Sequence, residues 1–325
     1  MARITETVGE LILTPDPDEF RRFVKQNKER RLKDKVMSHK EAVERFVKQG
    51  DYVATELYGS VRAPMSLVRE IVRQRDRLKP IDIAGQGVME TELEIAAGMV
   101  RRIDLTYQGW EVYGISHILR RAAESGDVKI IEWSNGALAW RLKAAALGVS
   151  FIPVRSMLGT ETLKYSAAKV IKDPWTGKDL VALPATYVDV GVIHVHRCDR
   201  YGNCQIDGIT GFAPELARAS KRLLVSCEEI VDTEEIRRYP ERTVIPWFLV
   251  DAVVHAPFGS HPGEMAYMYG RDEEHIRDYV KATKTKEGTE EYLKKYIFDV
   301  PDHEAYLDLI GRDRLEGLKA LAPRR

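Results

Sequence analysis

Apolar positions along this chain recur with two periods in turn, and that alternation predicts the architecture. Short runs rich in β-branched residues at 52–57, 81–84, 103–107, 128–132 and 150–154 read as strands. Between them, residues 65–72, 90–97, 115–123 and 137–147 carry apolar side chains at helical spacing, with Pro64 in the first turn of one helix and Gly98 ending another. Strands separated by helices of about ten residues make βαβ units and a parallel sheet. The pattern breaks at Arg155-Ser156-Met157-Leu158-Gly159-Thr160, and a less periodic stretch runs to Lys172. Asp173-Pro174-Trp175-Thr176-Gly177 reads as a turn between two short strands.

The longest apolar run follows. Val188, Val190, Val192, Ile193 and Val195 leave neither face polar, which predicts a strand inside a parallel sheet. It becomes polar in one step at Arg197-Cys198-Asp199-Arg200 and turns at Tyr201-Gly202-Asn203. In open α/β sheets, polar residues just past a strand's carboxyl end line the ligand crevice. A helix at 214–220, strands at 223–225 and 250–254 and a small-residue loop at 258–263 complete this part. Residues 273–280, 289–297 and 304–309 are helical in pattern. So are residues 1–50, where Ser38 and Glu41 form a capping box and Gly50 closes a helix. The expected fold is an open, mostly parallel α/β sheet with helices on both faces. The expected division is a helical extension at 1–50, the α/β domain at 51–270 and a helical segment at 271–325.

Charge and composition narrow the function. Lys plus Arg and Asp plus Glu number 50 each, so bulk electrostatics give no hold on nucleic acid. No apolar run reaches the ~20 residues that span a membrane. The opening Met-Ala-Arg-Ile-Thr-Glu lacks the apolar core of a signal peptide, so a cytoplasmic location is expected. Cys198, Cys204 and Cys227 are too few for a disulfide framework, and an odd number fits a reducing compartment.

Candidate chemistry sits in the turns after the strands. Gly59-Ser60-Val61-Arg62-Ala63-Pro64 leads from a strand into a helix, where backbone N–H groups suit an anion or an oxyanion. Gly85-Gln86-Gly87 is a second such turn, but it lacks the third glycine of a dinucleotide fingerprint. Glu132-Trp133-Ser134-Asn135-Gly136 ends a strand and opens a helix. Ser134 or Asn135 suits the N-cap, and Glu132 is placed for nucleophilic or base chemistry. Arg155, before Ser156 and Gly159, offers a fork for a carboxylate, or for a structural ion pair. His194, His196, Cys198 and Cys204 invite a zinc reading. Ligands spread along ~13 Å of strand cannot converge on one ion, so no metal is expected.

Taken together, these loops resemble the α-type subunit of the family I CoA-transferases, in particular the A-type chain of glutaconate CoA-transferase. The resemblance rests on H-x-x-R-x-D-x-x-G-N-x-Q-I-D-G from His194, F-I-P-V-R-S-M-L-G-T-E-T, D-P-W-T-G-K, G-S-V-R-A-P-M and A-P-F-G-S-H-P-G. It covers most of residues 50–300 and implies that family's open α/β fold. It also implies a heteromeric assembly with a B-type chain, and a CoA thioester as substrate with no cofactor bound permanently. In the family a glutamate of an E-N-G motif in the B-type chain attacks the acyl-CoA. This chain has no contiguous E-N-G; its nearest approach is Glu132 with Asn135-Gly136. The nucleophile is therefore expected in the partner, with Glu132 and Asn135 this chain's own catalytic candidates. Gly59, Ser60, Arg62, Arg155, Ser156 and Gly159 are expected to bind substrate, and Gly85 and Gly87 to lie against the CoA. Related ring-opening CoA-thioester hydrolases and glutaconyl-type decarboxylases are the alternative.

Overall fold

The computed structural model describes residues 6–56, 59–85 and 87–322. The strands are β1 Tyr52–Thr55, β2 Ile81–Gly85, β3 Val100–Leu105, β4 Lys129–Glu132, β5 Phe151–Val154, β6 Lys169–Lys172, β7 Asp179–Pro184, β8 Val188–Cys198, β9 Cys204–Gln205, β10 Ser220–Ile230, β11 Thr243–Ile245 and β12 Ala252–His255. Seven run parallel in the order β12-β10-β8-β1-β2-β3-β4. The short strands β9 and β11 extend the sheet antiparallel from the carboxyl half of β8. Chain order reverses between β1 and β8, the place where open α/β sheets form their ligand crevice.

Side-chain alternation divides the sheet into two cores. Val53, Ile83, Ile103, Val190 and Val192 join one with the helices Met65–Arg73, Met89–Ala96 and Glu273–Ala282. Tyr52, Ala54, Ile131, Ile193 and Val195 join the other with Asn135–Leu147 and Ala213–Ala219. This is why the Val188 run carries no polar face: all but Asp189 and Arg197 of β8 are buried. Helices thus cover both faces, as the alternating pattern predicts.

Three local expectations change. The strand read at 150–154 does not join the main sheet; β5 pairs antiparallel with β7 in a separate three-stranded sheet ordered β5-β7-β6. Pro64 is the N-cap residue of its helix and not part of its first turn. The helix begun at Ser38 ends at Phe46, before Gly50. Ser38 does cap it, accepting from the Glu41 N–H at 3.2 Å. The strand read at 52–57 is defined to Thr55, and Leu57 lies outside the described residues, as does Gln86 of the second glycine turn.

Candidate functional site

A cavity of about 530 Å³ opens at the carboxyl edge of β1 to β4. Gly59 and Ser60 reach it from the loop after β1, Val88 after β2, Tyr107 and Trp110 after β3, and Asn135 after β4. Glu264 and Arg271 close it from the segment after β12. Parallel strands end on one edge, so their following loops converge there without any nearness in sequence.

Each wall has a local cause. Gly59 adopts φ +60° with open space around its Cα, so conformation selects glycine there. The Ser60 carbonyl accepts from the Glu264 N–H at 2.9 Å, and the Ser60 hydroxyl accepts from Arg271 Nη1 at 3.3 Å. A Cβ at Gly263 would come within 2.2 Å of the Ser60 oxygen, so close approach selects that glycine. Ser134 caps the helix Asn135–Leu147, accepting from the Ala137 N–H at 3.1 Å. Asn135 opens the helix, and its Oδ1 accepts from the Tyr107 N–H at 3.1 Å, tying the loops after β3 and β4 together. Beneath them Asp104 is 1% exposed and accepts from Tyr52, Trp133 and Arg141 at 2.6, 2.8 and 2.8 Å.

Buried acids flank the cavity. Trp110 donates Nε1–H to Glu92 at 3.0 Å, and burial pushes the Glu92 carboxyl up to about 7. Glu90 lines a recess of about 20 Å³ beside Gly59 and Ser60, and burial pushes it up to about 8. Glu94, one turn further, is pushed to about 8 by burial and by Glu90. Glu111, at the rim, holds φ +49°, a left-handed conformation that costs a non-glycine residue energy.

The sequence-expected residues fall into two groups. Gly59, Ser60 and Asn135 line the cavity. Arg62 does not: it is 1% exposed and paired with Glu56 at 2.9 Å, with further bonds to the carbonyls of His194 and Thr210. Its Nη1 and Nη2 are engaged inside the protein, so the side chain does not face this cavity, where it was expected to bind substrate. Arg155, Ser156 and Gly159 lie in an exposed turn after β5, in the other sheet and off the cavity. Their placement followed from assigning β5 to the parallel sheet. Glu132 ends β4 beside the site without lining the cavity. Gly85 ends β2, where a Cβ would come within 2.3 Å of Thr91, and neither it nor the buried Gly87 lines the cavity.

The polar step after β8 is a structural turn. Asp199 gathers the N–H groups of Tyr201, Gly202 and Asn203 at 2.9–3.0 Å, and Arg197 pairs with Asp207 at 2.8 Å. His194 bonds Ser226 and Glu228, and His196 bonds the Ala266 carbonyl and the Asp207 N–H. Among the described residues no group of three or more His, Cys, Asp or Glu side chains is arranged to hold a metal ion. No helix among them is long and apolar enough to cross a membrane. Sequence reasoning missed Trp110, Glu264 and Arg271. Their place in the cavity comes from long-range chain return, which no local motif announces.

Known proteins resemble this chain in sequence and fold. Residues 36–256 match the family described as Coenzyme A transferase. An uncharacterized protein of Archaeoglobus fulgidus is 50% identical over 97% of this chain and 71% of its own length. The A-type chain of glutaconate CoA-transferase from Acidaminococcus fermentans is 32% identical over 88% of this chain and 95% of its own. The crystal structure of that enzyme matches this fold with a TM-score of 0.84 over the same shares. The cholesterol ring-cleaving hydrolase IpdA subunit of Mycobacterium tuberculosis is 29% identical over 79% of this chain and 91% of its own.

Proposed function

This chain belongs to the coenzyme A transferase family, and from that premise we propose that it is the A-type half of a two-subunit enzyme moving CoA between an acyl-CoA and a carboxylic acid. The observation that carries the reading is the cavity at the carboxyl edge, walled by Gly59, Ser60 and Asn135, with Glu132 outside it. The nearest match to the family's nucleophile motif is thus absent from the cavity lining, and the attacking carboxylate comes from a B-type partner.

In this reading a partner glutamate attacks the thioester carbonyl. An acyl-glutamyl anhydride forms and CoA leaves as thiolate, which then attacks the glutamyl carbonyl and releases the first acid. The resulting glutamyl-CoA thioester passes CoA to the second acid by the reverse steps. A carboxylate suits this because anhydride and thioester lie close enough in energy for reversible exchange. This chain's part is to hold and polarise. The Gly59–Ser60 backbone, in the turn before a helix, faces the carbonyl oxygen as negative charge develops. Asn135, with Oδ1 held by the Tyr107 amide, presents its NH₂ end to a ligand oxygen.

The test is acyl exchange by the complex with a B-type chain, with the half-reaction stopped before the acceptor acid is added. The expected result is transfer by the complex, none by the lone chain, and a CoA-mass adduct on the partner. An adduct on Glu132, or transfer by the lone chain, would refute the division of labour. Hydrolytic opening of a cyclic acyl-CoA with its thioester retained, and no CoA passed to an acceptor acid, would identify the ring-opening hydrolase chemistry instead.

A further inference from the structure

We propose that Arg271 determines substrate class by reading a second carboxylate on the acyl group, an inference that rests on the transferase reading above. Among the described residues lining the cavity, Arg271 is the one Lys or Arg side chain. The two arginines expected from sequence are elsewhere, Arg62 in a buried ion pair and Arg155 on the other sheet. An anionic acyl tail entering this cavity has one cation to meet.

That cation is held in a fixed orientation. Arg271 Nη1 donates to the Ser60 hydroxyl at 3.3 Å, and Nη2 lies 2.8 Å from Glu273 Oε1. Glu273 in turn accepts from the Tyr113 hydroxyl. The backbone on both sides is tied down: the Gly270 N–H donates to the Leu318 carbonyl, and the Asp272 N–H to the Pro262 carbonyl, each about 3 Å away. Asp272 itself is clamped by His261 at 3.0 Å and Arg314 at 2.6 Å. A guanidinium carries five donors in a planar fork matched to a carboxylate. The Arg271 side chain is 36% exposed and lines the cavity.

Two further observations give this residue a selective role. Glu111 and Glu264 also line the cavity, so Arg271 is the one cation among its described lining residues that a second carboxylate can meet. The position of the tail is thereby set as well as its charge. Arg271 also lies beyond residues 36–256, the span that the family model covers, while the similarity to the glutaconate CoA-transferase A-type chain runs past that span. The loops inside that part supply Gly59, Ser60 and Asn135, which meet the reacting carbonyl common to every acyl-CoA. Arg271 supplies the group that meets the variable end.

The experiment compares glutarate with its monoamide, an isostere lacking one charge, on the complex with its B-type partner. Competitive inhibition, or calorimetric binding where no turnover occurs, should favour the diacid by roughly tenfold or more, the range of a charge-assisted bidentate pair. In Arg271→Gln the preference for diacid over monoamide should collapse by a similar factor. Arg271→Lys should retain part of it, since charge survives but the fork does not. Equal binding of diacid and monoamide by the unaltered complex overturns the proposal whether or not the variants fold. An unchanged preference in Arg271→Gln overturns it too. A rise in KM for every acyl-CoA with the acid preference intact would assign the guanidinium to a CoA phosphate, which also overturns it. The binding comparison is read without CoA transfer, so an inactive complex would count against the transferase reading alone.

Discussion

Removing the Arg62 guanidinium should unfold this protein more easily and should not selectively weaken substrate binding. Arg62 and Glu56 are 1% and 0% exposed; Arg62 Nη2 donates to Glu56 Oε1 at 3.0 Å, Nη1 lies 2.9 Å from Oε2, and the guanidinium donates to two backbone carbonyls at 3.0 and 3.1 Å. In Arg62→Ala the Glu56 carboxylate stays buried without its counter-charge. Breaking such a pair from one side costs about 3–5 kcal/mol, mostly the penalty of the stranded charge. At roughly 2 °C per kcal/mol for a chain of this size, Tm should fall by about 6–10 °C. Burial already raises the Glu56 pKa against the pull of Arg62. Without Arg62 it rises further, so the folded variant holds a proton the unfolded chain does not. A raised folded pKa gives stability at low pH that is lost as pH rises, so the deficit of the variant should shrink toward pH 5 and grow toward pH 8. Neutralising both partners, in Glu56→Gln with Arg62→Met, should recover most of the loss, and the double-mutant cycle isolates the pair. The assay is calorimetric unfolding at both pH values beside steady-state kinetics of the complex. A variant that melts within about 2 °C of the unaltered protein but shows a diacid-specific KM increase would refute the buried-pair argument.

Two other expectations follow from buried charge. Asp104→Asn keeps the shape but leaves the Arg141 guanidinium, 3% exposed, without its anion; a loss of about 2–4 kcal/mol is expected by denaturant unfolding, against about 1 kcal/mol for Tyr52→Phe, and equal losses would mean that lost hydrogen bonds outweigh the stranded charge. Glu90 and Glu94, raised to about 8 by burial, hold protons in the folded state that the unfolded chain gives up near pH 4.5, so Tm should fall between pH 6.5 and 8.5. On the acid side, burial lowers His39 and His275 to about 3 and His196 to about 4, so stability present above pH 6.5 is lost as pH drops through those values. Glu94→Gln should flatten the alkaline slope, and a slope unchanged by that substitution would show that other groups set it.

The alternation of periods was enough to find β1 to β4, the buried run of β8 and the edge where the cavity opens. Gly59, Ser60 and Asn135 were visible because each sits in a turn between a strand and a helix. β5 was misassigned although its sequence held a warning. Phe151 and Pro153 are exposed while Ile152 and Val154 are half-buried, and a proline inside a strand belongs at a sheet edge. Arg62 misled because its partner, Glu56, lies across a turn that sequence spacing does not close. The acids of Met-Glu-Thr-Glu-Leu-Glu look like a solvated face, yet Glu90, Glu92 and Glu94 are each at most 1% exposed, since the neighbouring helices cover that helix on every side. Arg271 had no local signature at all.

The central position of β1 has a consequence for synthesis. Its outer neighbour is β8, and the Tyr52 N–H is satisfied by Asp189, 137 residues later. At ~5–20 residues per second a ribosome needs roughly 7–27 s to make that interval. Throughout it, β1 through β4 can pair among themselves, but β1 shows an unpaired edge with apolar side chains on both faces. Such an edge is a template for pairing with another nascent chain. The protein's yield in a foreign host should therefore depend on elongation rate and on chaperones that shield this edge, more than on the stability of the finished fold.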